Sequence, residues 1–369
     1  MRCPANSLHT RRRPPAADPP NGRHVVKAVV LAAGKGTRMR QLSDRRPKPL
    51  MPLANRPALA LTVTRLAEAG AGRVLIVVGH LGRQIRSCIG NGSRFGVRAE
   101  YVEQPRPMGT GAALMLAEEF AGSDPFFLTF GDCIAHAENY RRAVELFRAG
   151  AGAVLTTYDI GRRVGQGAVF PRDGRLQRIA ERPAPGEDSP LVSAGLFVFP
   201  PRIFDCTRGL PPAPSGEHEL TGGIQKLADD GCDVRVVPIT GYWANLTGPD
   251  ELIAANSNVH RELLERGEEV LAASARISPS AQLREAVAVA AGAAVGDGAS
   301  LGPNVSVGEN CSVGSGCKLE SCILLEGVTV GPGAVIEHAV VEDGASIPAG
   351  AVQRSSKGHA AIIGKATCV

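Results

Sequence analysis

No stretch of this sequence approaches the roughly 18 consecutive apolar residues that a membrane-spanning helix needs, so a membrane partner is not expected. No Cys-x-x-Cys pair is present either, which removes the usual spacing of a zinc site. The nine cysteines are odd in number and scattered from Cys3 to Cys368. With no apolar secretory core near the N-terminus, they read as reduced thiols and the localisation as cytoplasmic. A one-signed charge is also missing. The net charge is +5, but five arginines (Arg2, Arg11, Arg12, Arg13, Arg23) face one acid, Asp18, within the first 23 residues. The rest is nearly neutral and offers no nucleic-acid face. That basic, proline-rich segment, residues 1–25, is too poor in apolar side chains to order itself, and Val26-Lys27-Ala28 reads as the natural beginning of the folded chain. Two glycine motifs are absent as well. Nothing matches G-x-x-x-x-G-K-[ST], and the dinucleotide pattern G-x-G-x-x-G fails because Met39 stands where the third glycine belongs.

What is present is Leu31-Ala32-Ala33-Gly34-Lys35-Gly36-Thr37-Arg38, led in by the apolar run Lys27–Leu31 and followed by Arg46-Pro47-Lys48-Pro49-Leu50. An unbroken apolar run suits a parallel strand buried on both faces. Glycines at its end let backbone N–H groups close on a phosphate, and Arg38 and Lys48 bring cations to the same loop. A nucleoside triphosphate suits that arrangement; an ordinary strand-to-helix turn is the alternative reading of the glycines.

From 26 to about 240, short apolar runs (Val74–Val78, Phe126–Phe130, Ala153–Thr157, Leu196–Phe199, Val234–Val237) alternate with helical patterns (Ala58–Ala69, Ala112–Phe120, Arg141–Arg148). This predicts βαβ units, a mostly parallel sheet, and ligands at the carboxyl ends of its strands, where Gly34 and Asp132 fall. From 277 the texture changes. Ile277, Leu283, Val289, Val295, Leu301, Val307, Val313 and Leu319 recur every six residues. Neither a helix nor an alternating strand has that period; a solenoid with three short strands per coil does. Leu319 to Leu324 and Ile336 to Val341 are steps of five, read as shortened corners in a stack of about four coils. Cys311 and Cys317 fall on the small inward positions and read as core filler. Pro249–Glu268 reads as a connecting helix with Leu252, Ile253, Asn256, Val259 and Leu263 on one side.

Taken in order, these motifs resemble the sugar-1-phosphate nucleotidylyltransferases, or NDP-sugar pyrophosphorylases, over residues 26 to about 352. The resemblance implies a Rossmann-like nucleotidyltransferase domain (26–248), a linking helix (249–274), a left-handed parallel β-helix of hexapeptide repeats (275–352) and a C-terminal tail (353–369). It also implies roles. Leu31, Ala33, Gly34, Gly36 and Thr37 would form the nucleotide loop, Arg38 would hold the leaving pyrophosphate, and Lys48 would neutralise phosphate charge. Gln104, Gly109 and Thr110, within Gln104–Gly111, would bind the base. Glu181, Arg182, Ser193 and Gly195 would hold the sugar phosphate. Asp132, at the end of a buried strand, and Asn245 would ligate Mg²⁺, since hard cations prefer oxygen donors. Three positions depart from the family pattern: Arg182 stands for a usual lysine, Ser193 for a frequent asparagine, and Asn245 for a frequent aspartate.

The reaction so implied joins an NTP to a sugar-1-phosphate with release of pyrophosphate. It needs no general base, because a phosphate monoester loses its second proton near ~6. Positioning and electrostatics carry such catalysis. The motif layout favours uridylyl or thymidylyl transfer to a hexose-1-phosphate. Three alternatives stay open: guanylyl transfer to mannose-1-phosphate, a bifunctional enzyme with acetyl transfer on the β-helix using His338, and a non-catalytic regulatory subunit. The solenoid flank is a repeatable docking surface and suggests a homo-oligomer.

Overall fold

The computed structural model describes residues 27–36, 39, 41–161, 167–184, 186–187 and 189–364. They group into two compact units: residues 27–35 with 59–243, and residues 36–58 with 244–364.

The first unit is built on a nine-stranded sheet. Its strands are β1 (Lys27–Ala32), β2 (Arg73–Val78), β3 (Arg98–Glu103), β4 (Phe126–Phe130), β5 (Ala153–Asp159), β6 (Ala168–Arg172), β7 (Arg175–Ala180), β8 (Leu191–Phe199) and β9 (Val234–Pro238). Their order across the sheet is β3-β2-β1-β4-β8-β5-β9-β7-β6. The β3-β2-β1-β4 half is parallel, as the apolar runs required. In the other half β8 lies antiparallel to both β4 and β5, and β6 and β7 form an antiparallel hairpin, so the sheet is mixed. The helical pattern at 112–120 divides into Thr110–Met115 and Glu118–Ala121. Val29, Leu31, Val77, Leu128 and Phe197 are buried in the core that the helices cover.

The second unit contains the parallel β-helix. Equivalent residues along one face are Arg276, Ala294, Ser312, Thr329 and Ser346, a spacing of 18 that shortens to 17. The shortening sits at the corner between the second and third faces. Ala286, Asn304, Ser321 and His338 occupy that corner with φ of 56°, 59°, 49° and 54°. Inside the stack, Val289, Val295, Leu301, Val307, Val313 and Leu319 form a continuous core with Cys311, Cys317 and Cys322. Gly308, Gly314 and Gly331 face the next coil's backbone so closely that a Cβ would lie 2.5–2.6 Å from it. The stack continues past residue 352, into the segment that the sequence pattern assigned to a tail. Val352–Arg354 and Ala361–Ile363 both pair with the strand Val335–Val341.

The third face is covered. Its outward residues Ala288, Ser306, Ile323 and Val340 are fully buried. Two segments of this unit are fastened there: the helix Pro249–Glu265 and residues 54–56. Asn256 accepts hydrogen bonds from the Ala54 amide (2.7 Å) and the Ser306 hydroxyl (2.9 Å), and its own amide donates to Asn304 (2.8 Å). Asn304 in turn donates to the Ile253 carbonyl. At the other end of the helix the Asp250 carboxylate meets His338 Nε2 at 2.8 Å and accepts the amides of Gly358 and Ala360. Leu252, Ile253, Asn256, Val259 and Leu263 are all buried, as the sequence spacing required.

Candidate active site

The candidate residues divide between the two units. In the first, β1 ends at Leu31, whose carbonyl accepts the Gly131 amide at 2.8 Å. That bond places Asp132 at the carboxyl end of the parallel half, two residues after β4. Ala33 is held by Gly79, where an added Cβ would lie 2.6 Å from the Ala33 carbonyl oxygen. Gly34 is exposed, with nothing within 4 Å of the place a Cβ would take. Thr37 and Arg38 lie outside the described residues.

The segment expected to read the base closes on residues 217–220. Gln104 leaves the sheet with its amide on the Val78 carbonyl, and its side-chain nitrogen donates to the Gly109 carbonyl at 3.2 Å. Gly109 has φ +94°, and the space of its missing Cβ is taken by the His218 carbonyl, 2.5 Å away. Close backbone packing therefore demands this glycine. The amide of Gly111 donates to the His218 carbonyl, His218 donates to Met108, and Leu220 donates to the Thr110 hydroxyl. The strap carries Glu217 and Glu219 toward Glu181. The Glu181 carboxyl is pushed above its usual range, first by burial and then by the Glu219 charge, while Arg182 opposes the rise. The sequence pattern counted Glu217–Thr221 only toward the overall motif layout that favours uridylyl or thymidylyl transfer and assigned Glu217 and Glu219 no place in the site; a Glu-x-Glu pair immediately before the helix Leu220–Asp229 was the available signal.

Glu181 and Ser193 are stitched together through Gly167, whose amide donates to the Glu181 carbonyl and whose carbonyl accepts the Ser193 amide at 2.9 Å. Gly195 has φ +74°, and a Cβ there would lie 2.6 Å from the Phe130 ring. Between them the Ala194 carbonyl accepts the indole N–H of Trp243 at 2.8 Å, and Trp243 packs on Tyr158 with ring centroids 5.2 Å apart. Trp243 is another residue that the motifs did not assign.

In the second unit, Gly36 (φ +68°) lies against the aliphatic stem of Lys48. Lys48 opens the short 3₁₀ turn Lys48–Leu50, and its ammonium lies 3.5 Å from the Asn245 carboxamide oxygen. Among the described residues no group of three or more His, Cys, Asp or Glu side chains could hold a metal by itself. Asp132 and Asn245 each offer a hard oxygen donor. Oxygen donors of this kind suit a divalent hard cation. Also among the described residues, no helix is long and apolar enough to cross a membrane, and Cys88, Cys133, Cys206, Cys232, Cys311, Cys317 and Cys322 are not in disulfides.

A model of the nucleotidyl transferase family matches residues 27–262, and a model of the GMPPB C-terminal domain matches residues 283–369. This chain belongs to the nucleotidyl transferase family. Among curated relatives it is 34% identical over 251 residues to the low-salt glycan biosynthesis nucleotidyltransferase Agl11 of Haloferax volcanii, covering 66% of this chain and 69% of that one. It is 33% identical over 242 residues to a glucose-1-phosphate thymidylyltransferase of Streptomyces antibioticus (64% and 67% covered). A mannose-1-phosphate guanylyltransferase of Mycobacterium tuberculosis is 30% identical over 276 residues, with 70% and 74% covered. A crystal structure from Bacillus anthracis, named by inference as a glucose-1-phosphate thymidylyltransferase, superposes with a TM-score of 0.56 at 26% identity, covering 63% of this chain and 94% of that one.

Proposed function

We propose that this protein transfers a nucleotidyl group from an NTP to a sugar-1-phosphate, forming an NDP-sugar and pyrophosphate, with uridylyl or thymidylyl transfer to a hexose-1-phosphate favoured. The observation that carries this reading is the placement of Lys48, whose aliphatic stem lies against Gly36 while its ammonium is 3.5 Å from the Asn245 carboxamide oxygen. A cation held beside a glycine loop and a hard oxygen donor is what a triphosphate and its ion require. Family members generally use a divalent metal; we assign Mg²⁺ here, with Asp132 and Asn245 as candidate ligands, and its chemistry would be to neutralise charge at the α-phosphate.

The chain's own side chains then do the remaining work. Lys48, with Arg38, balances the triphosphate; Arg182 and the Ser193–Gly195 backbone orient the sugar phosphate, and Glu181 engages its hydroxyls. The acceptor oxygen is already anionic at neutral pH, so no side chain has to remove a proton. In-line placement and charge compensation supply the acceleration.

A second reading, guanylyl transfer to mannose-1-phosphate, is favoured by the Mycobacterium relative, whose alignment covers 70% of this chain. Acetyl transfer has less support, because His338 is engaged by Asp250 at 2.8 Å. Self-association through the β-helix is part of the proposal. The ladder on its second face exposes Gln282 and Lys318 and ends at Val352, which is 56% exposed. A panel of four NTPs against glucose-, mannose- and glucosamine-1-phosphate, read by pyrophosphate release, tests the function. The expected result is one strongly preferred pair in which the nucleotide is UTP or dTTP. Absence of release from every pair, with the protein folded, would overturn the reading in favour of a non-catalytic subunit.

A further inference from the structure

We propose that Asp343, through its ion pair with Arg46, is a positioning residue for Lys48, so that the β-helix takes a direct part in nucleotidyl transfer. The proposal rests on the reading of Lys48 as a phosphate-binding cation.

Residues 36–58 belong to the same compact unit as the β-helix, and their anchors run along that solenoid. At one end, the Gln41 side chain hydrogen-bonds to Glu342, and the Arg45 charge acts on the same carboxylate. Next, the Arg46 guanidinium lies 2.7 Å from Asp343 Oδ1, with the two side chains only 17% and 22% exposed. At the far end the Ala54 amide is held by Asn256, the Asn55 side chain donates to the Val307 carbonyl at 3.0 Å, and Arg56 pairs with Glu268. Lys48 stands between these two groups of anchors.

The ion pair is built to transmit position. Asp343 Oδ1 also accepts the Glu326 amide from the preceding coil at 3.0 Å, so the carboxylate is fixed by backbone before Arg46 arrives. Glu309, Glu326 and Asp343 occupy equivalent corner positions on successive coils, shown by the bonds from Gly327 to Glu309 and from Gly344 to Glu326. Arg46 therefore faces a column of carboxylates, and its charge is felt as far as Glu309. Only Pro47 separates Arg46 from Lys48, and Pro49 follows. Their rings fix φ on both sides of the lysine, and Pro47 sits at φ −62°. The Lys48–Leu50 turn then closes with amides of Leu50 and Met51 on the carbonyls of Pro47 and Lys48. There is little slack by which Lys48 could keep its place if Arg46 lost its own. An exposed ion pair would contribute little to anything; this one is mostly shielded and lies one residue from the cation.

The test is a double-mutant cycle on the full chain with D343N, K48M and D343N/K48M. Pyrophosphate release is measured against both substrates, and thermal unfolding is followed in parallel. D343N is expected to lower kcat about tenfold, as displacement of a positioned group does. The KM for sugar phosphate and the unfolding temperature should stay near wild type, and D343E should restore part of the loss. Because Asp343 acts through Lys48, D343N should cost nothing further in the K48M background. A D343N enzyme with wild-type kcat, or effects that multiply in the double variant, would overturn the positioning role while leaving the function intact. A fully active K48M would instead overturn the reading of Lys48, and the proposal with it. If D343N fails to fold, R46M reads the same pair from the other side under the same criteria.

Discussion

Gly36 and Lys48 share one small volume: a Cβ on Gly36 would lie 3.1 Å from Lys48 Cβ and 3.4 Å from Cδ. The backbone there has φ +68°, which costs an L-residue about 1–2 kcal/mol. Gly36→Ala should therefore push the lysine stem aside and lower kcat/KM about a hundredfold, the scale of a group displaced by about 1 Å. Steady-state pyrophosphate release with circular dichroism as a folding control checks this. An active Gly36→Ala enzyme would mean the Lys48 stem can move without consequence.

The single tryptophan of the chain, Trp243, is bonded to the carbonyl between Ser193 and Gly195. Its fluorescence should change when sugar-1-phosphate is added and respond less to NTP alone. Trp243→Phe keeps a ring beside Tyr158 but loses one hydrogen bond, worth about 1 kcal/mol. The KM for sugar phosphate should rise about fivefold while that for NTP stays put.

Asn245 offers a neutral carboxamide oxygen and no charge of its own. Asn245→Asp should lower the Mg²⁺ concentration needed for half-maximal rate by severalfold, because a carboxylate binds a hard cation more strongly than an amide oxygen. Asn245→Leu should raise it. Mg²⁺ titrations that coincide for all three proteins would remove Asn245 from the ligand set.

His260 is fully buried on the linking helix, and neither ring nitrogen has a hydrogen-bond partner. Burial pushes its pKa down from 6.5 to about 4. The unfolded chain takes up the proton first, so stability falls as pH drops below 6.5 and levels off near 4. By pH 5 the loss from this group is about 2 kcal/mol. Urea unfolding at pH 7.5 and pH 5 should show that loss in wild type, and His260→Leu should shrink the difference between the two conditions.

The parallel half of the sheet and the solenoid were legible because burial on two faces and stacking by sixes both leave direct marks on sequence. Val74–Val78 and Phe126–Phe130 are continuous apolar runs, and Leu319-to-Leu324 recorded a shortened corner one residue at a time. Strand β3, Arg98–Glu103, was not legible: it lies at the sheet edge, where Arg98 and Glu103 face water. The β6–β7 hairpin was hidden for the same reason, its turn at Asp173-Gly174 set among exposed arginines. Within the candidate site, Gly36, Lys48 and Asp132 were picked out by short motifs. Glu217, Glu219 and Trp243 were not, because their importance comes from what the chain brings beside them. Gly109 was singled out for closeness to a base; in the structure the His218 carbonyl also fills the space of its missing Cβ.

The corner ladder that seats Asn304 and His338 on one helix has an evolutionary corollary. Solenoids commonly change length by duplicating a rung, but a rung inserted between those two residues would carry His338 about 4.8 Å away from Asp250. The helix would gain no residue to follow it. Growth of this array is therefore tolerated only outside the clasped interval, beyond the Asp250 latch or ahead of the first rung.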